Sequence, residues 1–259
     1  MRIWNGSDPG GWGYFFIGKV VLLLLFLLVS EIIATFAPQI KQVNRIIESM
    51  KERIAALFDF DGVVIDTETQ YSRFWYQVGQ QYGYEGLDQQ VKGQTLTYIY
   101  NTFFAGREAE QQDITRQLNC FEQHMSYDYI PGAVDFIRAL RAEGIATAVV
   151  TSSNQQKMRA VYSVHPEVKQ LFDRILTAEM FVASKPDPDC YLLGMRLFDT
   201  TPSHTFVFED SINGLRAGMA SGARVIALST TFPAEVIAPL SHKVIPHFNG
   251  FSVADMLAV

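Results

Sequence analysis

At 259 residues, 48% of them hydrophobic, the chain has enough apolar material for one large α/β domain with a smaller one inserted. A net charge of −6 gives no nucleic-acid footprint, which needs clustered Lys and Arg, so any anionic ligand must be met by local positive charge. Cys120 and Cys190 have neither C-x-x-C nor metal-ligand spacing and read as buried free thiols, compatible with a reducing compartment.

The first 49 residues differ from the rest. Residues 14–37 are nearly all apolar, with Lys19 and Glu31 the only charges, a length that spans a bilayer with some tilt. A cleaved signal peptide fits less well, because the apolar run lies late and its small-residue site, Ala34 to Ala37, is followed by Pro38. As an anchor, the segment would leave Lys41, Arg45, Lys51 and Arg53 on the cytoplasmic side, and the remaining domain with them. A second reading starts translation at Met50, immediately before the first core strand, and leaves a cytoplasmic protein with no membrane contact. The sequence leaves both open.

From there, residues 54–60 form a short apolar run of β type ending in a turn at Asp61-Gly62. An insertion, 69–129, follows. Tyr71, Phe74, Trp75, Val78 and Tyr82 recur at helical spacing, so it opens with an amphipathic helix, and Thr67-x-x-Gln70 fits a capping box at its start. With no β-rich run inside it, the insertion predicts a helical cap. After it come apolar runs at 145–150, 174–177, 205–208 and 224–228, separated mostly by helical patterns, of which the first stops at Gly144. Alternating strands and helices imply a Rossmann-like parallel sheet covered on both faces. The expected architecture is therefore an α/β core of 50–68 and 130–259, a helical cap of 69–129, and a transmembrane helix only if 1–49 is an anchor.

Ligands of open parallel sheets bind at the carboxyl ends of the strands. Here those ends carry Asp59-Phe60-Asp61-Gly62, Thr151-Ser152-Ser153-Asn154 and Glu209-Asp210-Ser211, with Ser184-Lys185-Pro186 shortly before the last. Asp59 is placed to attack phosphorus, splitting one hard step into two. Asp61, two residues on, is placed to protonate the leaving oxygen and then to activate water. Two carboxylates facing a phosphate require a cation, and Mg2+ with oxygen ligands, Asp210 among them, is the usual one. The Thr151 hydroxyl and the backbone N–H groups around Ser152 suit phosphate oxygens, and Lys185 adds a point charge. Each cluster alone is ordinary turn or cap chemistry; their joint order is not.

These motifs, together with Asp59-Phe60-Asp61-Gly62-Val63-Val64-Ile65-Asp66-Thr67-Glu68 and Phe208-Glu209-Asp210-Ser211-Ile212-Asn213-Gly214, resemble the haloacid dehalogenase superfamily in its phosphatase and beta-phosphoglucomutase-like branch. The resemblance runs from Lys51 to about Ala227, cap position included. It implies Asp59 as nucleophile, Asp61 as acid/base, and Mg2+ held by the Asp59 side chain, the Asp61 backbone carbonyl and Asp210. It also implies Thr151 and Lys185 on the phosphoryl group, and Glu209 beside the metal. Asp61 argues against dehalogenase and phosphonate-cleaving members, which lack an aspartate there.

The same resemblance separates hydrolase from mutase. The mutases of this branch carry Lys-Gly-x-Ser-Arg in the cap, whose arginine holds a second phosphate, and a histidine on the first cap helix. This chain has Lys92-Gly93-Gln94-Thr95-Leu96 and Tyr71. The expectation is a Mg2+-dependent phosphomonoester hydrolase, monomeric, acting on small phosphorylated metabolites, sugar phosphates foremost. Tyr71, Trp75, Lys92 and Gln94 are the candidate specificity residues, and a sugar-phosphate mutase is the alternative.

Overall fold

The computed structural model describes residues 33, 35–39, 41 and 52–259. It contains two compact units, Met1–Glu52 and Arg53–Val259. In the first, the described residues Ile33, 35–39 and Lys41 are helical. The expected anchor at 14–37 lies mostly outside the described residues, and among those described no helix is long and apolar enough to cross a membrane.

The second unit is built on six parallel strands. They are β1 (Ala55–Phe58), β2 (Ala146–Val150), β3 (Arg174–Leu176), β4 (Thr205–Glu209), β5 (Arg224–Leu228) and β6 (Lys243–Ile245), in the order β3-β2-β1-β4-β5-β6. The central strand, β1, is buried on both faces. Its alternate side chains point to opposite sides of the sheet, so Ala56 and Phe58 join one apolar core while Ala55 and Leu57 join the other. Phe58 stacks on Phe208 of β4 with ring centroids 4.5 Å apart, which locks the two strands whose ends carry the acidic motifs. In register, Phe58 faces Val149 of β2 on one side and Phe208 on the other, so Asp59, Thr151 and Glu209 emerge at one edge. The sheet reverses its winding between β1 and β4, the place where such folds bind ligands.

The insertion is helical, as expected: Glu68–Tyr82, Leu87–Gln90, Leu96–Phe103 and Glu108–Glu122. It has a small apolar core of its own, centred on Phe74, Trp75, Leu87, Ile99, Phe104 and Ile114. The two chain crossings between the sheet and these helices pair with one another. Asp66 N–H donates to Asp128 C=O at 2.8 Å, Ile130 N–H to Val64 C=O at 2.9 Å, and Gln70 bonds Ser126 in both directions.

Two expectations are corrected and one strand is added. Thr67 does not cap the first helix; its hydroxyl donates to Asp61 Oδ1 at 2.8 Å instead. A hydrogen bond to an ionised carboxylate is roughly twice as strong as a neutral one, so the hydroxyl is oriented to serve the acid and not to accept from a first-turn N–H. Cys190 is buried, but Cys120 is exposed on the outer face of Glu108–Glu122. The sheet also has a strand the sequence did not announce, β6, three residues long and only partly buried.

Candidate active site

β1 ends where its apolar run ends. Asp59 stays in line with the strand, its N–H donating to Phe208 C=O at 2.9 Å. The chain then turns at Gly62, whose φ of +74° and lack of a side chain are both required: a Cβ there would fall 1.9 Å from Asp210 Oδ2. This turn lets the β1 and β4 motifs approach closely.

Lys185 is the hub. It is buried, and its Nζ donates to Asp59 Oδ1 at 2.6 Å, to Glu209 Oε1 at 2.5 Å and to Val150 C=O at 3.1 Å. Burial alone would lower the Lys185 pKa, but the charges of Asp59 and Glu209 outweigh it and raise it well above the usual ammonium range. Glu209, fully buried, is held by Lys185, by Tyr191 Oη at 2.9 Å, and by Asp210 N–H, Ser211 N–H and Ser211 Oγ at 2.9, 3.0 and 3.1 Å. Room for that carboxylate is made by Gly214, where a Cβ would lie 1.7 Å from Glu209 Oε1.

Asp59 and Asp61 occupy opposite electrostatic situations. Burial pushes Asp59 up to about 7, with the Glu209 charge adding to this and Lys185 opposing it. Burial would raise Asp61 too, but the charge of Lys157 and hydrogen bonds from Lys157 Nζ (2.6 Å), Thr67 Oγ1 (2.8 Å) and Ser153 Oγ (2.9 Å) hold it below the usual carboxylate range. Asp210 is driven well above that range by burial and by the charges of Glu209 and Asp59; the Thr231 hydroxyl donates to its Oδ2.

Asp59, Glu209 and Asp210 each offer a carboxylate oxygen, and those oxygens lie within 4.8 Å of one another. Hard oxygen donors on buried acids, two of them (Asp59 and Asp210) pushed toward protonation by burial and neighbouring charge, suit a hard divalent cation such as Mg2+. Glu209 already has both oxygens engaged, which leaves Asp59 and Asp210 as the side chains with capacity for an ion.

Asp59, Asp61, Thr151, Ser152, Lys185 and Asp210 all line one cavity of about 360 Å3, and so do Tyr71, Trp75, Lys92 and Gln94. Thr151 is buried, its Oγ1 accepting from Ser153 N–H at 3.0 Å; Ser152 is exposed. On the opposite wall Lys92 pairs with Glu68 at 3.5 Å, and Gln94 accepts from Asn213 Nδ2 at 2.9 Å, tying the insertion to the start of the Ile212–Ala220 helix that follows β4. Gly93 lies so close to the loop before that helix that a Cβ would be 3.1 Å from Ser211 Cβ. Tyr71 Oη donates to Glu122 at 2.8 Å, while Trp75 belongs to the insertion's own core and shows only an edge.

Sequence reasoning missed Lys157, Thr231 and Tyr191, and had read Thr67 as a cap. Lys157 left one signal: it sits in the first turn of the Gln155–Val164 helix, where a cation is unfavourable against the helix dipole.

Comparison with known proteins agrees with this geometry. The model of a family described as haloacid dehalogenase-like hydrolase matches residues 56–228. Hexitol phosphatase A of Escherichia coli is 30% identical over 184 residues, 67% of this chain and 82% of that one. A beta-phosphoglucomutase of Mycobacterium tuberculosis is 25% identical over 232 residues, 74% of this chain and 87% of that one. Among solved structures, a hydrolase of the same superfamily, family IA, variant 3, from Entamoeba histolytica aligns with a TM-score of 0.71 at 20% identity, over 79% of this chain and 98% of that one, a likeness of fold.

Proposed function

The chain belongs to the haloacid dehalogenase-like hydrolase family, and on that premise we propose that it hydrolyses monophosphate esters of small polyhydroxylated metabolites through an aspartyl-phosphate on Asp59. The observation that carries the reading is the paired arrangement at the end of β1: Asp59 against Lys185, and Asp61 separately against Lys157. In the first step the Asp59 oxygen bonds phosphorus as the ester P–O bond breaks, and protonated Asp61 gives its proton to the departing alkoxide, releasing the alcohol. In the second, Asp61 takes a proton from water as that water's oxygen bonds phosphorus, releasing phosphate and restoring Asp59. Three donors, from Lys157, Thr67 and Ser153, suit the carboxylate form that Asp61 would take between the steps. Thr151, the backbone around Ser152, and Lys185 hold the phosphoryl oxygens. Asp59, Asp210 and the Asp61 carbonyl would hold Mg2+, which supplies positive charge to the phosphoryl group.

The cap, 69–129 over a core of 50–68 and 130–259, selects the substrate. Among the described residues lining the cavity the cations are Lys92, Lys157 and Lys185, each already paired with a carboxylate, and no arginine is present. Leu96 lines the wall where a mutase of this branch has its arginine. This supports a substrate with one phosphate and an uncharged remainder, read by Ser72, Thr95, Asn119 and Gln156. The likeness to hexitol phosphatase A favours a polyol or sugar phosphate within that class. Losing a charge-assisted contact to a second phosphate costs about 1.5–3 kcal/mol, enough to let a bisphosphate intermediate escape. The test follows β-glucose 1-phosphate and a hexitol phosphate by 31P NMR with Mg2+ and a trace of glucose 1,6-bisphosphate. Free phosphate is expected from both. Stoichiometric glucose 6-phosphate without free phosphate would establish the mutase instead.

A further inference from the structure

The geometry points to Lys157 as a positioning residue for the acid/base carboxylate: it grips Asp61 directly and ties that grip to the cap through Tyr71. This rests on the reading that Asp61 protonates the leaving oxygen. Lysine is almost never buried unless paired, yet Lys157 is 5% exposed. It stands in the first turn of a helix, where the dipole opposes a cation. Both penalties are tolerated at a place where the ammonium meets Asp61 Oδ1 at 2.6 Å. The helix start is fixed by Asn154, whose side chain accepts from the Lys157 N–H at 2.9 Å, so the stem is held at its root as well as its tip.

The grip reaches both halves of the unit. Lys157 Nζ lies 4.6 Å from the centre of the Tyr71 ring on the first cap helix. Tyr71 in turn donates to Glu122 at the end of the last cap helix. Lys157 therefore touches the catalytic loop from the core side and the cap from beneath, and the cap's seating decides whether its ammonium stays over Asp61. A phosphate anchor would stand beside Asp59, and Lys185 already fills that place.

A residue that aims the acid matters only where a proton must be delivered. A hexitol phosphate leaves as an alkoxide and needs the proton; p-nitrophenyl phosphate leaves as a stabilised phenolate and hardly does. The test measures kcat/KM, which reports the steps up to phosphoryl transfer, for both esters in the full chain with Lys157→Met and Lys157→Gln. The ratio of alkyl to aryl kcat/KM is expected to fall at least about tenfold in both variants, a fraction of the roughly 10^2- to 10^4-fold that general acid catalysis supplies. Equal losses on the two esters, no loss on either, or failure of both variants to fold would overturn the assignment. Asp61→Asn is the control on the underlying reading. If it leaves the ratio unchanged, the acid/base role of Asp61 fails; if it lowers the ratio and the Lys157 variants do not, only the present inference fails.

Discussion

Behind the core wall of the cavity Glu209 alone accepts from Lys185, Tyr191, Asp210, and twice from Ser211, all inside a buried cluster, whereas on the cap wall Lys92 meets Glu68 at 3.5 Å and Gln94 makes one bond to Asn213. The core groups are held so tightly that each fixes the next. The cap groups are half-exposed and held by single contacts. The difference teaches where chemistry and choice reside. On the proposed reading, replacing a reacting group of the core wall is expected to cost the reaction, and replacing a cap-wall residue to alter only what is accepted.

The strongest way to break this comparison is to remove the nucleophile. Asp59→Asn should lower turnover by roughly 10^4-fold or more, the scale seen when a covalent nucleophile is lost; steady-state phosphate release measures it, and retention of even about a tenth of the activity would sink the assignment. Gly214→Ala comes next. Its methyl would collide with the Glu209 carboxylate, an overpacking of up to about 3 kcal/mol, so melting should fall by about 6–12 °C and activity should collapse with it. Asp210→Asn should raise the Mg2+ concentration for half-maximal activity at least about tenfold, and chelation by EDTA should silence the wild type. A metal titration that is unchanged in the variant would remove Asp210 from the ion site.

Smaller effects sharpen the contrast. Tyr191→Phe deletes one buried hydrogen bond to Glu209, worth about 1 kcal/mol, and should lower melting by about 2–4 °C. Gln94→Ala should move only KM, by about two- to tenfold, the range of one net hydrogen bond. A larger loss in kcat from Gln94→Ala than from Tyr191→Phe would mean that the two walls do not divide the work as described.

Most of the core wall was legible in the sequence because its residues sit at strand ends, and β1, β2, β4 and β5 are buried apolar runs that announce themselves. Asp59, Asp61, Thr151 and Asp210 could be placed from those ends, and Lys185, in the loop before the Asp189–Phe198 helix, from its Ser-Lys-Pro motif. β6 was not legible, since three residues reading Lys243-Val244-Ile245 at the sheet edge carry too little pattern. The partners of the site were not legible either. Lys157 finds Asp61 across 96 positions, and Thr231 finds Asp210 across 21, pairings that only the folded sheet creates. Thr67 misled because a hydroxyl can accept from a helix N–H or donate to a carboxylate, and the carboxylate it serves is not a helix neighbour. On the cap, Tyr71 and Trp75 were read both as packing and as candidates for specificity; the fold uses Trp75 mainly for the first and joins Tyr71 to Glu122 and Lys157.

The central claim, a phosphoryl group carried on Asp59, is most directly tested by trapping it. The full chain is mixed with a hexitol phosphate and Mg2+, quenched within one turnover and treated with hydroxylamine, which converts an acyl phosphate to a hydroxamate, and the peptide spanning Asp59 is read by mass spectrometry. A hydroxamate at Asp59, absent without substrate, is the predicted result. Phosphate release with no modification at Asp59, or a phosphate carried on another side chain, would contradict the account.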